Sequence, residues 1–480
     1  MKTKWSILAV IILSPLLLWV TLLILPTHDD WTSLTTPDLR PFFIRERFLF
    51  YGYHWRPFDS MIGWVAGRNP QLLYPAFNHV LVILGHIINT LLIFRLTRRL
   101  GFNMMAVNVA TLFFFLTPAT MATVLAVDSQ NQTYATTLGL LSFFWYIGEH
   151  RFKYTVWIIL LFLATLTKEN GLMWALICPI LAFGFNLTDR KQLRRDLIIG
   201  LSIMLTYALI IWLMPKQIII HPEYVPTPLK VIVSTIKCIF GAFITVDYVW
   251  LLHQPSRNLW LAALTFFLAL PFMYQVFIRP FNFSILNSCV HAVVNKKPCV
   301  GASAQIQKLN VQLSILISLL IAVSPHLLTV FSMMHLYAAL PFVALLVANH
   351  TKGMILFLYF CLSALIIDVH LWHESYKSGI IGHKMAQEVI HQTDAPVKNV
   401  YAIIVEDDYP KLSSFCVIPY DAFGWGAAAL YETGYQWPEN YQDTIVPSVT
   451  NAQQLSKQLL SHHSIDCVWI INHDNVDVIK

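Results

Sequence analysis

"WSILAVIILSPLLLWVTLLILPTHDD", residues 5–30, decides how the rest of the chain is read. From Trp5 to Pro26 there is no charge, and then two carboxylates, Asp29 and Asp30, arrive together. About 20 apolar residues at roughly 1.5 Å each cross the hydrocarbon core of a bilayer. The run is long for a signal-peptide core and no small-x-small cleavage site follows it. It therefore reads as a retained first helix with Lys2 and Lys4 on the cytoplasmic side. Composition agrees: of 480 residues 56% are hydrophobic and 12% charged, about half the charged share of a soluble domain. That excludes a soluble globular enzyme. It predicts an all-α polytopic membrane protein, because lipid leaves only helices and closed barrels as spanning structures.

Working outward, candidate spans fall at about residues 5–26, 75–97, 104–126, 134–148, 155–167, 171–185, 197–214, 258–278, 311–331, 333–349 and 353–372, which is about eleven to twelve crossings depending on 229–252. That segment, "LKVIVSTIKCIFGAFITVDYVWLL", is long enough to span, but a full crossing would invert every later loop. It is read as re-entrant or interfacial. The basic connections are "RLTRRLGF" (95–102), "EHRFKY" (149–154), "DRKQLRR" (189–195) and the 279–310 stretch with Arg279, Lys296, Lys297 and Lys308. Placing them inside puts the N-terminus in the cytoplasm and the tail in the periplasm, in an inner (plasma) membrane. Charge follows the same division. Residues 373–480 carry 13 acids, 6 lysines and no arginine, whereas the first 372 carry 13 acids and 26 Lys plus Arg. Basic loops of this kind belong to membrane topology, so no nucleic-acid partner is expected.

Two regions then face outward. One is the loop at 27–74, too long and too aromatic for a plain connector. The other is the tail, 373–480, which separates from the membrane domain of 1–372. In it "SYKSGIIGHKMAQEVIHQ" (375–392) and "NAQQLSKQLLSH" (451–462) read as helices, and "NVYAIIVED" and "CVWIINHD" as strands, giving a small α/β domain. Cys416 and Cys467 lie there and are read either as a disulfide or as separate thiols. No metal-ligand spacing is seen among the seven cysteines.

Four features carry chemistry. Asp29 and Asp30 are either a solvated helix end or a general base at the lipid–water boundary, with the second acid orienting the first or holding a divalent cation, Mg²⁺ or Mn²⁺. The following loop holds Tyr51, Tyr53, His54, Trp55, Arg56, Trp64 and Arg68. Its rings suit sugar faces or an interfacial belt, and an arginine fork suits phosphate oxygens. His79 and His86 share a helix face with Asn89, for substrate contact or interhelical hydrogen bonding. Finally Lys168 and Glu169, in "LATLTKENGLMWAL" (163–176), break an apolar run on the outer side. They suit either a local ion pair or a lipid-linked phosphate.

Taken together, the acidic pair after the first helix, "HWRP" (54–57), "FNHVLVILGHIINTLL" (77–92), "RLTRRLGF" and "TKEN" (167–170) resemble the GT-C superfamily of integral-membrane glycosyltransferases. The likeness is greatest to the branch of protein O-mannosyltransferases and bacterial polyprenyl-phosphate-sugar-dependent transferases, and covers about residues 1–175. The resemblance implies a GT-C-like helical fold and a catalytic acidic motif at Asp29 and Asp30, while the chemistry of the residues suggests donor-phosphate contacts from Arg56, Lys168 and Glu169. Tyr53, His54, Trp55, His79 and His86 would contact substrate. It further implies an inverting transfer of sugar from a polyprenyl-phosphate-linked donor to a hydroxyl of a glycan, lipid or protein, among membrane lipids at the periplasmic face. The rivals are a transporter or flippase of a lipid-linked saccharide, which would need polar residues at mid-membrane depth and related halves, and a non-catalytic subunit of a glycan-assembly complex.

Overall fold

The computed structural model describes residues 4–27, 30, 56–68, 70–213, 227–241, 263, 267, 274, 302–325, 333–350, 354–393, 397–406, 419–424, 426–433, 440–461 and 464–480. Asp29, Tyr51, Tyr53, His54, Trp55, Arg279, Lys296, Lys297, Cys416 and most of the 258–278 span lie outside these residues.

The described chain is mainly helical with a small C-terminal sheet. Its helices are α1 (Trp5–Thr21), α2 (Pro57–Arg68), α3 (Pro70–Leu73), α4 (Ala76–Arg99), α5 (Met104–Leu116), α6 (Pro118–Val124), α7 (Gln130–Tyr146), α8 (Lys153–Thr167) and α9 (Trp174–Gly184). They continue with α10 (Arg190–Leu213), α11 (Pro228–Gly241), α12 (Ala302–Val323), α13 (Leu340–His350), α14 (Met354–Gln392), α15 (Pro419–Phe423), α16 (Ala427–Glu432) and α17 (Val449–Leu460). Local chemistry sets their ends. After Arg99 the chain turns at Gly101, whose φ of 84° only glycine adopts readily. Phe102 N–H then reaches back to the Thr97 carbonyl and Gly101 N–H to that of Arg98, the paired bonds of a Schellman stop. Asn103 caps the next helix by accepting from Ala106 N–H. Pro118 has no N–H to continue α5, so α6 departs from it at 46°.

Packing places one large apolar core among α1, α4, α5, α7, α8, α9, α12 and α13, with Phe113, Phe114, Trp157, Trp174 and Phe342 fully enclosed. Outside, large apolar side chains stay exposed: Leu8, Ile11, Ile12 and Trp19 on α1, and Ile198, Leu205 and Trp212 on α10. Inside, asparagine, histidine and threonine side chains are buried along α4. Along α4 these polar side chains turn inward while Val80, Leu84 and Leu91 stay exposed.

Among the described residues, Ala76–Arg99 is long and apolar enough to cross a membrane alone, and Met104–Leu116 with Pro118–Val124 makes a second crossing if the bent pair is one span. Of the expected eleven to twelve spans, several are shorter helices here. Lys153–Thr167 has 15 residues and Trp174–Gly184 has 11, about 22 and 16 Å of rise against about 30 Å of hydrocarbon. The former 353–372 span and the 375–392 helix are one element, α14, of 39 residues. It runs through the boundary expected at 372/373.

The two ends of the bundle differ in charge. Ser6 donates to Asn108 at 2.7 Å, Phe102 packs edge-on to Phe185, and Tyr146 donates to Asp196 at 2.6 Å. These contacts gather Lys4, Arg95, Arg98, Arg99, Arg151, Lys153, Arg190, Lys191, Arg194 and Arg195 around one end. At the other end lie Asp30, Asp128, Glu169 and the tail.

The tail is an α/β unit with strands β1 (Asn399–Val405), β2 (Asn440–Val446), β3 (Cys467–Asn472) and β4 (Asn475–Ile479), in the order β2-β1-β3-β4. β1 is parallel to β2 and β3, and β4 returns antiparallel to β3. The period of two is clear in its core. Val400, Ala402, Ile404, Cys467, Trp469 and Ile471 face Met385, Ala386 and Val389 of α14. Ile403, Val405, Val468 and Ile470 face Ala452 and Leu455 of α17. Cys467 is free and fully buried in β3.

Candidate functional site

At the non-basic end, residues 127–133, "VDSQNQT", form a hub. Asp30 is buried at 6% exposure, and its carboxylate accepts three backbone N–H groups: Thr27 on Oδ2 at 3.0 Å, and Val127 and Asp128 on Oδ1 at 2.9 and 3.1 Å. The same residue's carbonyl accepts from the Tyr74 hydroxyl at 2.6 Å. A carboxylate can bind such donors strongly because the bonds are charge-assisted. Asp30 thus ties the exit of α1 to the turn before α7. The tail joins this point too. Tyr431 donates to the Tyr74 carbonyl at 3.0 Å and their rings meet edge to face, while Ala66, Tyr74 and Val127 share one apolar cluster with the sheet.

Lys168 approaches the hub from α8. The residue is 5% exposed and its ammonium donates to Asn131 Oδ1 at 3.3 Å, and Asn131 in turn donates to the Asp128 carbonyl. Asn170 donates to Gln132 Oε1 at 3.2 Å. The chain can place Lys168 there because α8 ends at Thr167 and a 3₁₀ turn, Glu169–Met173, follows. Within it Gly171 lies against the Ala164 backbone, where a Cβ would clash. Arg56, just ahead of α2, forks onto Glu169 with contacts of 2.9, 3.2 and 2.9 Å. Both partners are about a quarter exposed, at 24% and 22%.

The expected site residues therefore divide. Asp30, Arg56, Lys168 and Glu169 come to one end, with His79 beside them: its Nε2 lies 3.1 Å from the Ile24 carbonyl. Asp29, Tyr53, His54 and Trp55 lie outside the described residues. His86, expected to serve either substrate contact or interhelical hydrogen bonding, makes contacts between helices here. It is fully buried, Nδ1 lies 2.9 Å from the Tyr337 hydroxyl, Nε2 lies 3.3 Å from the Phe115 carbonyl, and its ring stacks on Phe114 and Phe115. Asn89 completes that network through Tyr337, the Thr133 carbonyl and Thr137. Glu169, expected either in a local ion pair or near a lipid-linked phosphate, pairs with Arg56. A carboxylate repels phosphate, and here it holds the arginine that would meet one.

Sequence reasoning passed over Asp128 and Asn131, treating 127–133 as a gap between spans. The signal was present: six consecutive polar residues, one of them acidic, inside a strongly apolar region. As for a divalent cation, Asp30 already gives three of about four lone-pair positions to N–H donors. Among the described residues there is no cluster of three or more His, Cys, Asp or Glu side chains. Asp29, the other acid of the expected cation site, lies outside the described residues.

Neither a protein-family model nor a curated protein matches the chain. A solved structure similar to it is the crystal structure of the Archaeoglobus fulgidus oligosaccharyltransferase in complex with Zn and sulfate, at 14% identity and a TM-score of 0.41. The match covers 93% of this chain and 64% of that one, so the chain spans less than two thirds of that protein's length.

Proposed function

We propose that the protein is an integral-membrane glycosyltransferase that moves a sugar, with inversion, from a polyprenyl-phosphate-linked donor to a hydroxyl on a glycan, lipid or protein. The observation that carries this reading is the convergence of a buried lysine, Lys168, and a buried carboxylate, Asp30, on one polar turn at one end of an apolar-faced bundle. A charge kept that deep is costly unless it is paired or used. Lys168 has the character of a point charge for the departing phosphate, and Arg56, held by Glu169, lies on the same side.

In the mechanism, Asp29 is the base that takes the proton of the acceptor hydroxyl as that oxygen attacks the anomeric carbon opposite the phosphate. Asp30 is a positioning residue: its three N–H bonds hold the exit of α1 against residues 127 and 128. Little covalent chemistry is asked of the protein, and most of the rate comes from orientation and from stabilising the leaving phosphate. The basic end lies in the cytoplasm and the tail in the periplasm, which supports delivery of acceptor from the outer aqueous side. The apolar exteriors of α1 and α10 support a lipid surround.

The transporter reading gains nothing from the His86–Asn89–Tyr337 network, whose hydrogen bonds are closed within the bundle. The test is a comparison of cell lipids and glycans with and without the gene. A glycan that loses one sugar, with its polyprenyl-phosphate donor accumulating, supports the proposal. The same loss with the lipid-linked saccharide stranded on the cytoplasmic leaflet contradicts it in favour of a flippase, and an unchanged glycan set contradicts both.

A further inference from the structure

The outward face of α10 changes character once along its length. Lys191 and Arg194 lie on it near the start, both exposed, followed by Ile198, Leu201, Leu205 and Trp212, which are 50% to 71% exposed. At about 100° per residue these six positions share about a quarter of the helix circumference. Cations and large apolar side chains thus form one continuous strip. Ser202 and Thr206 border it, and their hydroxyls return to the carbonyls of Ile198 and Ser202 at 2.9 Å each. Satisfied within the helix, they suit a hydrocarbon surround. From Ile198 to Trp212 the strip rises about 21 Å, more than the roughly 15 Å of hydrocarbon in one leaflet.

At the charged end of the strip two connections meet. Gln192 donates to the Tyr154 hydroxyl at 3.4 Å and Arg195 donates to it as well. The Lys153 ammonium and the Arg195 guanidinium lie 5.1 and 5.0 Å from the centre of the Tyr154 ring. Residues 149–154 and 189–195 together carry six cations and two acids. One of the acids, Asp189, is used as a helix cap, accepting from Gln192 N–H at 2.7 Å. Like charges crowded in this way repel one another and favour an anion among them. A nucleic acid or an acidic protein would take the cations but leave the apolar strip in water. A zwitterionic lipid would cover the strip without answering the charge. We infer that this face of α10 holds an anionic phospholipid, with its headgroup phosphate at Lys191 and Arg194, flanked by Arg195 and Lys153, and an acyl chain along Ile198 to Trp212. Arg56 and Lys168 lie at the opposite end of the bundle. This lipid is therefore not the sugar donor, and the inference stands apart from the transferase reading.

The full-length protein is purified in detergent and titrated with dioleoylphosphatidylglycerol, dioleoylphosphatidylcholine, glycerol phosphate or a single-stranded oligonucleotide. Bound molecules are counted by native mass spectrometry and the melting temperature is recorded. Two double variants are compared with the parent. Lys191→Gln with Arg194→Gln removes charge from exposed side chains and leaves the core untouched, and Lys191→Arg with Arg194→Lys keeps the charge. The parent is expected to bind phosphatidylglycerol about 10-fold or more tightly than phosphatidylcholine, to melt higher with it, and to lose the preference at high salt. The glutamine variant should melt as the lipid-free parent does and bind phosphatidylglycerol about 10- to 30-fold more weakly, while the charge-keeping variant retains the preference. Equal binding of the two lipids by the parent overturns the inference, and so does a preference that the glutamine variant keeps. Glycerol phosphate or the oligonucleotide binding as tightly as phosphatidylglycerol overturns the lipid occupant in favour of a free anion. The parent's lipid, salt and headgroup comparisons decide the matter even where a variant does not fold.

Discussion

Asp30 shows how one buried carboxylate can tie distant stretches of backbone together. Replacing it with Asn keeps one oxygen but turns an NH₂ toward backbone N–H donors, and leaves at least one of them unmet. Asp30→Asn is expected to destabilise the folded protein by about 1.5–3 kcal/mol, seen as a lower melting temperature in detergent. A melting temperature equal to the parent's would remove the positioning role. Lys168→Met tests the opposite kind of residue. Its stem is buried and its ammonium donates to Asn131, and methionine keeps the packing while removing the charge. It should raise the donor KM or lower kcat by about 10- to 100-fold at normal abundance, and unchanged donor kinetics would exclude Lys168 from the phosphate. Cys467 reports on the tail. Burial pushes its thiol up from 9.0 to about 11, so between those values the unfolded chain loses the proton that the folded one keeps. Tail stability contributed by this group is therefore full below pH 9 and lost as pH rises toward 11. Slow alkylation of Cys467 at pH 8 and rapid alkylation after unfolding would confirm it, and rapid labelling of the native protein would not.

At the scale of elements, α14 carries the tail as a continuous rod. Gly379 lies against the Leu25 backbone and Gly382 against the Ala422 carbonyl, where a Cβ would clash with main chain. Trp372 adds a hydrogen bond to the Val20 carbonyl at 2.8 Å. Gly382→Val should loosen α15 from this helix and expose the tail to limited proteolysis, with cleavage confined to residues beyond 373. A parental digestion pattern would contradict that packing. Elements also show what sequence could and could not give. β1 and β3 were legible because both faces are buried and both read as apolar runs. β2, "NYQDTIV", was missed because it is an edge strand that buries only Val446, so selection for apolar alternation is weak. β4 was missed because it follows a tight turn at His473 and Asp474 and has only five residues. The polar turn at 127–133 was passed over because its residues are buried by contacts with Asp30, Lys168 and Asn170, all distant in sequence. His79 and His86 look alike on a helical wheel. Only the neighbours that fold against them decide that one meets α1 and the other closes a network with Tyr337.

For the whole molecule, the claim is of a polarised bundle: basic at one end, with the hub and tail at the other. An introduced cysteine at Lys457, exposed on α17, should react with an impermeant maleimide once the outer membrane is permeabilised and the inner membrane left intact. Labelling only after inner-membrane lysis would invert the topology and move the hub to the cytoplasm. The most direct test of the account is sugar transfer itself. Radiolabelled sugar on a polyprenyl-phosphate donor is supplied to membranes matched for protein level, carrying the parent, Asp29→Asn or the double variant with Asp30→Asn. An amide cannot take a proton at neutral pH, so the account predicts loss of transfer by about 10²-fold or more in Asp29→Asn. Near-parental transfer in both variants would contradict it and leave the acidic pair as the solvated end of the first helix.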